Sequence, residues 1–100
     1  MKRPFVALLL AIAAASIAAH AQTLGRIKQA GSINVAYSPD SLPFSFGDAT
    51  DPKGYTIDIC KKVIAQIGRA VGDPQIKVNW MSGTTAQRLL MVESGRADLE

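Results

Sequence analysis

From Thr23 to Glu100, stretches with the two-residue period of a strand alternate with stretches of helical period, and this alternation constrains the fold more than any other feature. Ile33-Asn34-Val35-Ala36-Tyr37 alternates apolar with polar or small residues and reads as a strand. Ahead of it, Thr23 is placed to cap a short helix carrying Leu24, Ile27 and Lys28, with Gly31 as its stop. Ser38 to Pro43 is a Ser/Pro/Asp loop, Phe44-Ser45-Phe46 alternates again as a short strand, and Asp48 to Gly54 is a turn. Phe44 and Phe46, at alternating strand positions, are expected in the core. Asp58 is placed to cap a helix reaching Val71, with an apolar face of Cys60, Val63, Ile64, Ile67 and Val71. Gly72 can take the left-handed cap and Pro74 blocks continuation. Ile76 to Trp80 is a further strand, with Ile76, Val78 and Trp80 on one face. Gly83-Thr84-Thr85 opens another helix carrying Leu89, Leu90 and Val92, and Gly95 closes it. Strands separated by helices predict an α/β unit with a mainly parallel sheet and flanking helices.

Met1 to Ala21 is a different kind of segment. Lys2 and Arg3 form a positive head, Phe5 to Ala19 is almost unbroken apolar sequence, and Ala19-His20-Ala21 has the small-x-small pattern of a cleavage site. The run is short and alanine-rich for a membrane span, which needs roughly 20 strongly apolar residues. It therefore reads as a signal peptide cut after Ala21, directing the chain to the periplasm without stable membrane insertion afterwards. No cysteine follows the run, so a lipoprotein signal is not expected. Removing Lys2 and Arg3 takes the formal charge from +3 to +1. The basic pI of the precursor then says nothing about nucleic acid, and the Lys61-Lys62 pair reads as a solvated helix face.

Residues 22–100 are 79 residues with one cysteine, Cys60, so no disulfide within them can reinforce a modest core. Ala97-Asp98-Leu99-Glu100 reads as the opening of a strand. A folded domain seldom ends there, so the chain is expected to be the front of a longer protein. By itself it is not expected to fold with a sharp melt.

Signals for chemistry are sparse. His20 leaves with the signal, so no imidazole base or zinc ligand remains, and no Gly-rich phosphate loop is present. Asp48 and Asp51 read as turn-forming carboxylates, and Cys60 as a small residue on an apolar helix face. No catalytic residue, metal ligand or cofactor site is expected. The chain reads as a binding module rather than an enzyme.

Its motifs are more specific together than alone. Thr23-Leu24-Gly25-Arg26-Ile27-Lys28-Gln29-Ala30-Gly31 leads into Ile33-Asn34-Val35, followed by Leu42-Pro43-Phe44-Ser45-Phe46 and Gly54-Tyr55-Thr56-Ile57-Asp58-Ile59. Thr84-Thr85-Ala86-Gln87-Arg88 and Ser94-Gly95-Arg96-Ala97-Asp98-Leu99-Glu100 complete the series. In this order they resemble the N-terminal part of extracellular solute-binding proteins of the polar amino acid ABC-transporter family, nearest the glutamate/aspartate-binding branch.

That resemblance implies part of the first lobe of a two-lobe, type II periplasmic binding protein-like fold, which closes on its ligand. It implies ligand contacts from Ser38 and Ser41, in the loop after the first strand, and from Thr85 and Arg88, at the start of the later helix. In the acidic branch that helix-start pair grips the ligand's side-chain carboxylate. An arginine is a suitable residue there, because its planar fork matches a carboxylate. The acidic branch usually has an arginine where this chain has Ser38, so half of that clamp is missing and neutral polar ligands become admissible. The stacking aromatic that other members place near Ser41 is also missing. The implied partners are a small amino acid and the permease and ATPase of an importer, with no nucleic acid. Periplasmic dehydratases, accessory domains of lytic transglycosylases and receptor sensor domains share the fold and are the competing readings.

Overall fold

The computed structural model describes residues 22–100; the expected signal segment and its cleavage site lie outside the described residues. Residues 22–30 form helix α1, followed by strands β1 (Ser32–Tyr37), β2 (Asp40–Ser41) and β3 (Ser45–Phe46). Helix α2 (Tyr55–Ala70), strand β4 (Lys77–Ser82) and helix α3 (Thr85–Glu93) complete the order. Gly31, Gly72 and Gly95, expected as helix stops, all take positive φ.

β1 is the centre of the sheet. It pairs in parallel with β4, from Ser32 opposite Lys77 to Tyr37 opposite Ser82. On its other edge Val35 bridges Leu99 in parallel, and Ala36 N donates to Leu99 O at 2.9 Å. The opening of a strand expected at Ala97–Glu100 is therefore present. Flanked on both edges, β1 buries Ile33, Val35, Ala36 and Tyr37, and these join Ile27 of α1, Ile64 of α2 and Val71 just after α2 in the core. Each such side chain taken fully from water is worth roughly 1.5–3 kcal/mol. Asn34 faces its register partner Asn79, which donates from Nδ2 to Asn34 Oδ1 at 2.9 Å, so the polar residues of the two strands satisfy each other.

Several boundaries differ from those the sequence suggests. Residue 22 is already helical, so Thr23 lies inside α1 rather than capping it. Docking through buried Ile27 and through Arg26, which donates to Gly95 O and Asp98 Oδ1, fixes that helix. The stretch read as a loop from Ser38 to Pro43 contains β2, paired antiparallel with β3. Helix α2 starts at Tyr55, three residues before the expected cap at Asp58, which sits instead in its first turn and favours the positive end of the helix dipole. The first amides of α2 are satisfied by the preceding loop: Tyr55 N donates to Pro43 O at 3.2 Å and Thr56 N to Phe44 O at 2.9 Å. Its buried residues are Ile57, Ile64 and Gly68, while Val63, expected on the apolar face, is 41% exposed. Ile57, Ile64 and Gly68 fall on one side of the helix at 100° per residue, and Val63 lies at the margin of that stripe.

Candidate functional site

The chain leaves β1 for β4 on one side and returns to its other edge at Leu99. Such a reversal of strand order opens a crevice at the carboxyl ends of the strands, where α/β sheets take their ligands. At the carboxyl end of β1 lies a cavity of about 210 Å³, lined among others by Ser38, Ser41, Phe44, Thr56, Cys60, Arg88 and Glu100. A larger cavity of about 350 Å³ lies between α1 and the turn after α3, but its Arg26 and Asp98 are already bonded to each other.

One wall of the β1 cavity is a serine pair. The β2–β3 hairpin brings Ser41 back to Ser38, with their Oγ atoms 2.6 Å apart. Ser38 Oγ donates to Asp40 Oδ1 at 3.1 Å, which commits its single proton. Both bonds form together only with Ser41 donating to Ser38, an arrangement in which both hydroxyls turn lone pairs to any newcomer. Ser45 anchors the wall from behind, its buried hydroxyl donating to Ser38 O at 2.6 Å. Gly54 lets the hairpin sit against α2. It has φ 125°, and a Cβ there would collide with Phe44 O.

A second wall is Arg88. Helix α3 begins with a capping box in which Gln87 N donates to Thr84 Oγ1 and Thr84 N to Gln87 Oε1. This fixes the first turn and carries Arg88 over the end of β4. Its side chain is only 13% exposed. Nη1 donates to Gly83 O and Nε to Glu100 Oε1, both at 2.8 Å, and Nη2 reaches Thr85 Oγ1 at 3.5 Å. Ser38, Ser41 and Arg88 thus line one cavity, whereas Thr85 touches Arg88 without lining it.

Phe44 is the clearest reversal. Expected in the core, it is 55% exposed and forms part of the cavity rim, because the hairpin buries Ser45 instead and puts Phe46 in an intermediate position. An aromatic surface therefore stands beside Ser41 after all. Glu100, Thr56 and Ser45 were not singled out from sequence. Glu100 meets Arg88 across twelve residues, and no local pattern announces it.

Two groups lining this cavity, Cys60 and Tyr37, are held toward their neutral forms. Burial, and then the nearby Glu100 carboxylate, pushes the Cys60 thiol up, away from its nucleophilic form. Burial, and then Asp48, raises the Tyr37 phenol in the same way. What remains is an acceptor wall, a donor wall and an aromatic rim.

Residues 33–100 match the bacterial extracellular solute-binding proteins, family 3. The L-glutamate/L-aspartate-binding protein of Pseudomonas aeruginosa is 31% identical over 80 residues, covering 78% of this chain and 26% of that protein. Among solved structures, an ancestral cationic amino acid solute-binding protein superposes with a TM-score of 0.60 at 26% identity, covering 75% of this chain and 30% of that one. The cysteine-binding protein of Campylobacter jejuni gives 0.59 at 27% identity, covering 74% and 29% respectively. The chain spans under a third of the length of each of these relatives.

Proposed function

The chain belongs to the bacterial extracellular solute-binding proteins of family 3, and on that premise we propose that it captures a polar or acidic amino acid at the carboxyl end of β1. The observation that carries this reading is the pairing of two unlike walls in one cavity. Ser38 and Ser41 offer lone pairs, and Arg88 offers N–H donors. A ligand with both N–H donors and carboxyl-type oxygens answers both at once. The related proteins are named for binding acidic amino acids, cationic amino acids and cysteine. The fold is thus compatible with different side chains, and the local residues must choose among them.

In this reading residues 1–21 are a signal peptide cut after Ala21, and residues 22–100 are the N-terminal part of lobe one. The protein works in the periplasm as the non-enzymatic binding component of an ABC importer, delivering its amino acid to the permease and ATPase. Thr85 assists by holding Arg88. Arg88 meets an oxygen of the ligand's side chain with its terminal N–H groups. Closure is a population shift, since a ligand touching both lobes favours the closed form by the contacts only that form offers.

Calorimetric titration of the secreted gene product with polar and acidic amino acids tests the assignment. Arg88→Ala removes a charged hydrogen bond worth roughly 1.5–3 kcal/mol, so affinity should fall by about tenfold or more. Absence of binding by the unaltered protein, or an Arg88→Ala protein that binds as tightly, would overturn it.

A further inference from the structure

We propose that Glu100 sets how Arg88 reads its ligand: by holding the Nε edge of the guanidinium and offsetting its charge, it makes the cavity accept a carboxamide about as readily as a carboxylate. The proposal rests on the reading above, in which Arg88 meets an oxygen of the ligand's side chain.

The geometry fixes the arginine before any ligand arrives. Glu100 Oε1 takes Nε and Gly83 O takes Nη1, both at 2.8 Å, so the guanidinium plane is tied at two points. The remaining terminal N–H groups are those available to an incoming oxygen. The charge is balanced as well as fixed. Arg88 and Glu100 bring +1 and −1 to the lining, and Ser38 and Ser41 are neutral. An entering carboxylate would meet the arginine together with the repulsion of its bound partner. Glu100 also acts inside the cavity, adding to the effect of burial on the Cys60 thiol.

The serine wall independently favours the same ligand. With the Ser38 proton committed to Asp40 and the Ser41 proton to Ser38, that wall accepts hydrogen bonds. A carboxamide can give an oxygen to Arg88 and N–H groups to the serines. A carboxylate has acceptors only.

The test is a ratio of affinities, measured by calorimetry on the secreted gene product with glutamate and glutamine as probes. In the unaltered protein the two dissociation constants should lie within about tenfold of each other. Glu100→Gln keeps an oxygen for Nε but removes the charge, and should shift the ratio toward glutamate by about tenfold. Glu100→Ala should weaken both probes, because the guanidinium loses its anchor. A role confined to folding would instead move both probes equally in Glu100→Gln, and that result overturns the proposal. So does a preference for glutamate beyond a hundredfold in the unaltered protein, a readout that needs no variant to fold. Failure of the unaltered protein to bind any amino acid would overturn the site reading itself, and this inference with it.

Discussion

β1 and α3 sit side by side in the fold yet are held in different ways. β1 buries four of its six residues between two neighbours and beneath α1 and α2. Helix α3 buries none, and its Leu89 and Leu90 are 58% and 61% exposed. What fixes α3 is polar: the Thr84–Gln87 box at its start and the Arg88 bonds to Gly83 and Glu100. The difference teaches that the serine wall stands on a packed foundation, whereas the arginine wall is set by capping and charge. Substitutions in the two regions should therefore separate stability from binding.

The largest effect should come from the packed side. Ile33→Ala, at a fully buried position, should cost about 2–5 kcal/mol in denaturant unfolding of the purified gene product. Leu90→Ala is the matched control. A cost within about 0.5 kcal/mol keeps α3 a polar-held element, while a cost approaching that of Ile33 would break the comparison. Gly54→Ala comes next, because it strains a positive φ and drives a methyl into Phe44 O, at about 1–3 kcal/mol. It should also displace the serine wall and weaken amino acid binding in calorimetry. Thr84→Ala should cost less than Gly54→Ala but more than the Leu90 control, about 1 kcal/mol for the lost cap. Affinity should nonetheless fall, because Arg88 loses its fixed turn; an unchanged affinity would show that Gly83 and Glu100 suffice to place it.

The contrast also explains what could be read from the sequence. β1 was legible to within one residue, since its apolar content suits a central parallel strand, and Gly31, Gly72 and Gly95 marked the helix ends. The start of α2 was not, because its cap comes from the carbonyls of Pro43 and Phe44 and not from a side chain of its own. Phe44 misled for a related reason: alternation tells which residues share a face, and the hairpin decides which face is covered. Ser38, Ser41 and Arg88 came from the resemblance to a family, and the fold brings them to one cavity. Glu100 escaped because its link to Arg88 exists only after the chain has passed β1 again. The apolar residues of α3 illustrate the remaining gap, since helical spacing identifies a stripe but not its cover.

The central place of β1 has a consequence for the order in which the molecule assembles. Its partners lie far downstream, with Ser32 pairing Lys77 and Val35 pairing Leu99. A chain delivered N-terminus first therefore presents its most apolar strand with both edges open until nearly all of residues 22–100 have emerged. Contacts so distant in sequence make pairing slow, and an open apolar edge is what stray strands attach to. The β2–β3 hairpin and α2 can form during that wait, since their contacts are local. The strand that organises the finished sheet is thus the one most in need of protection while the chain is being delivered.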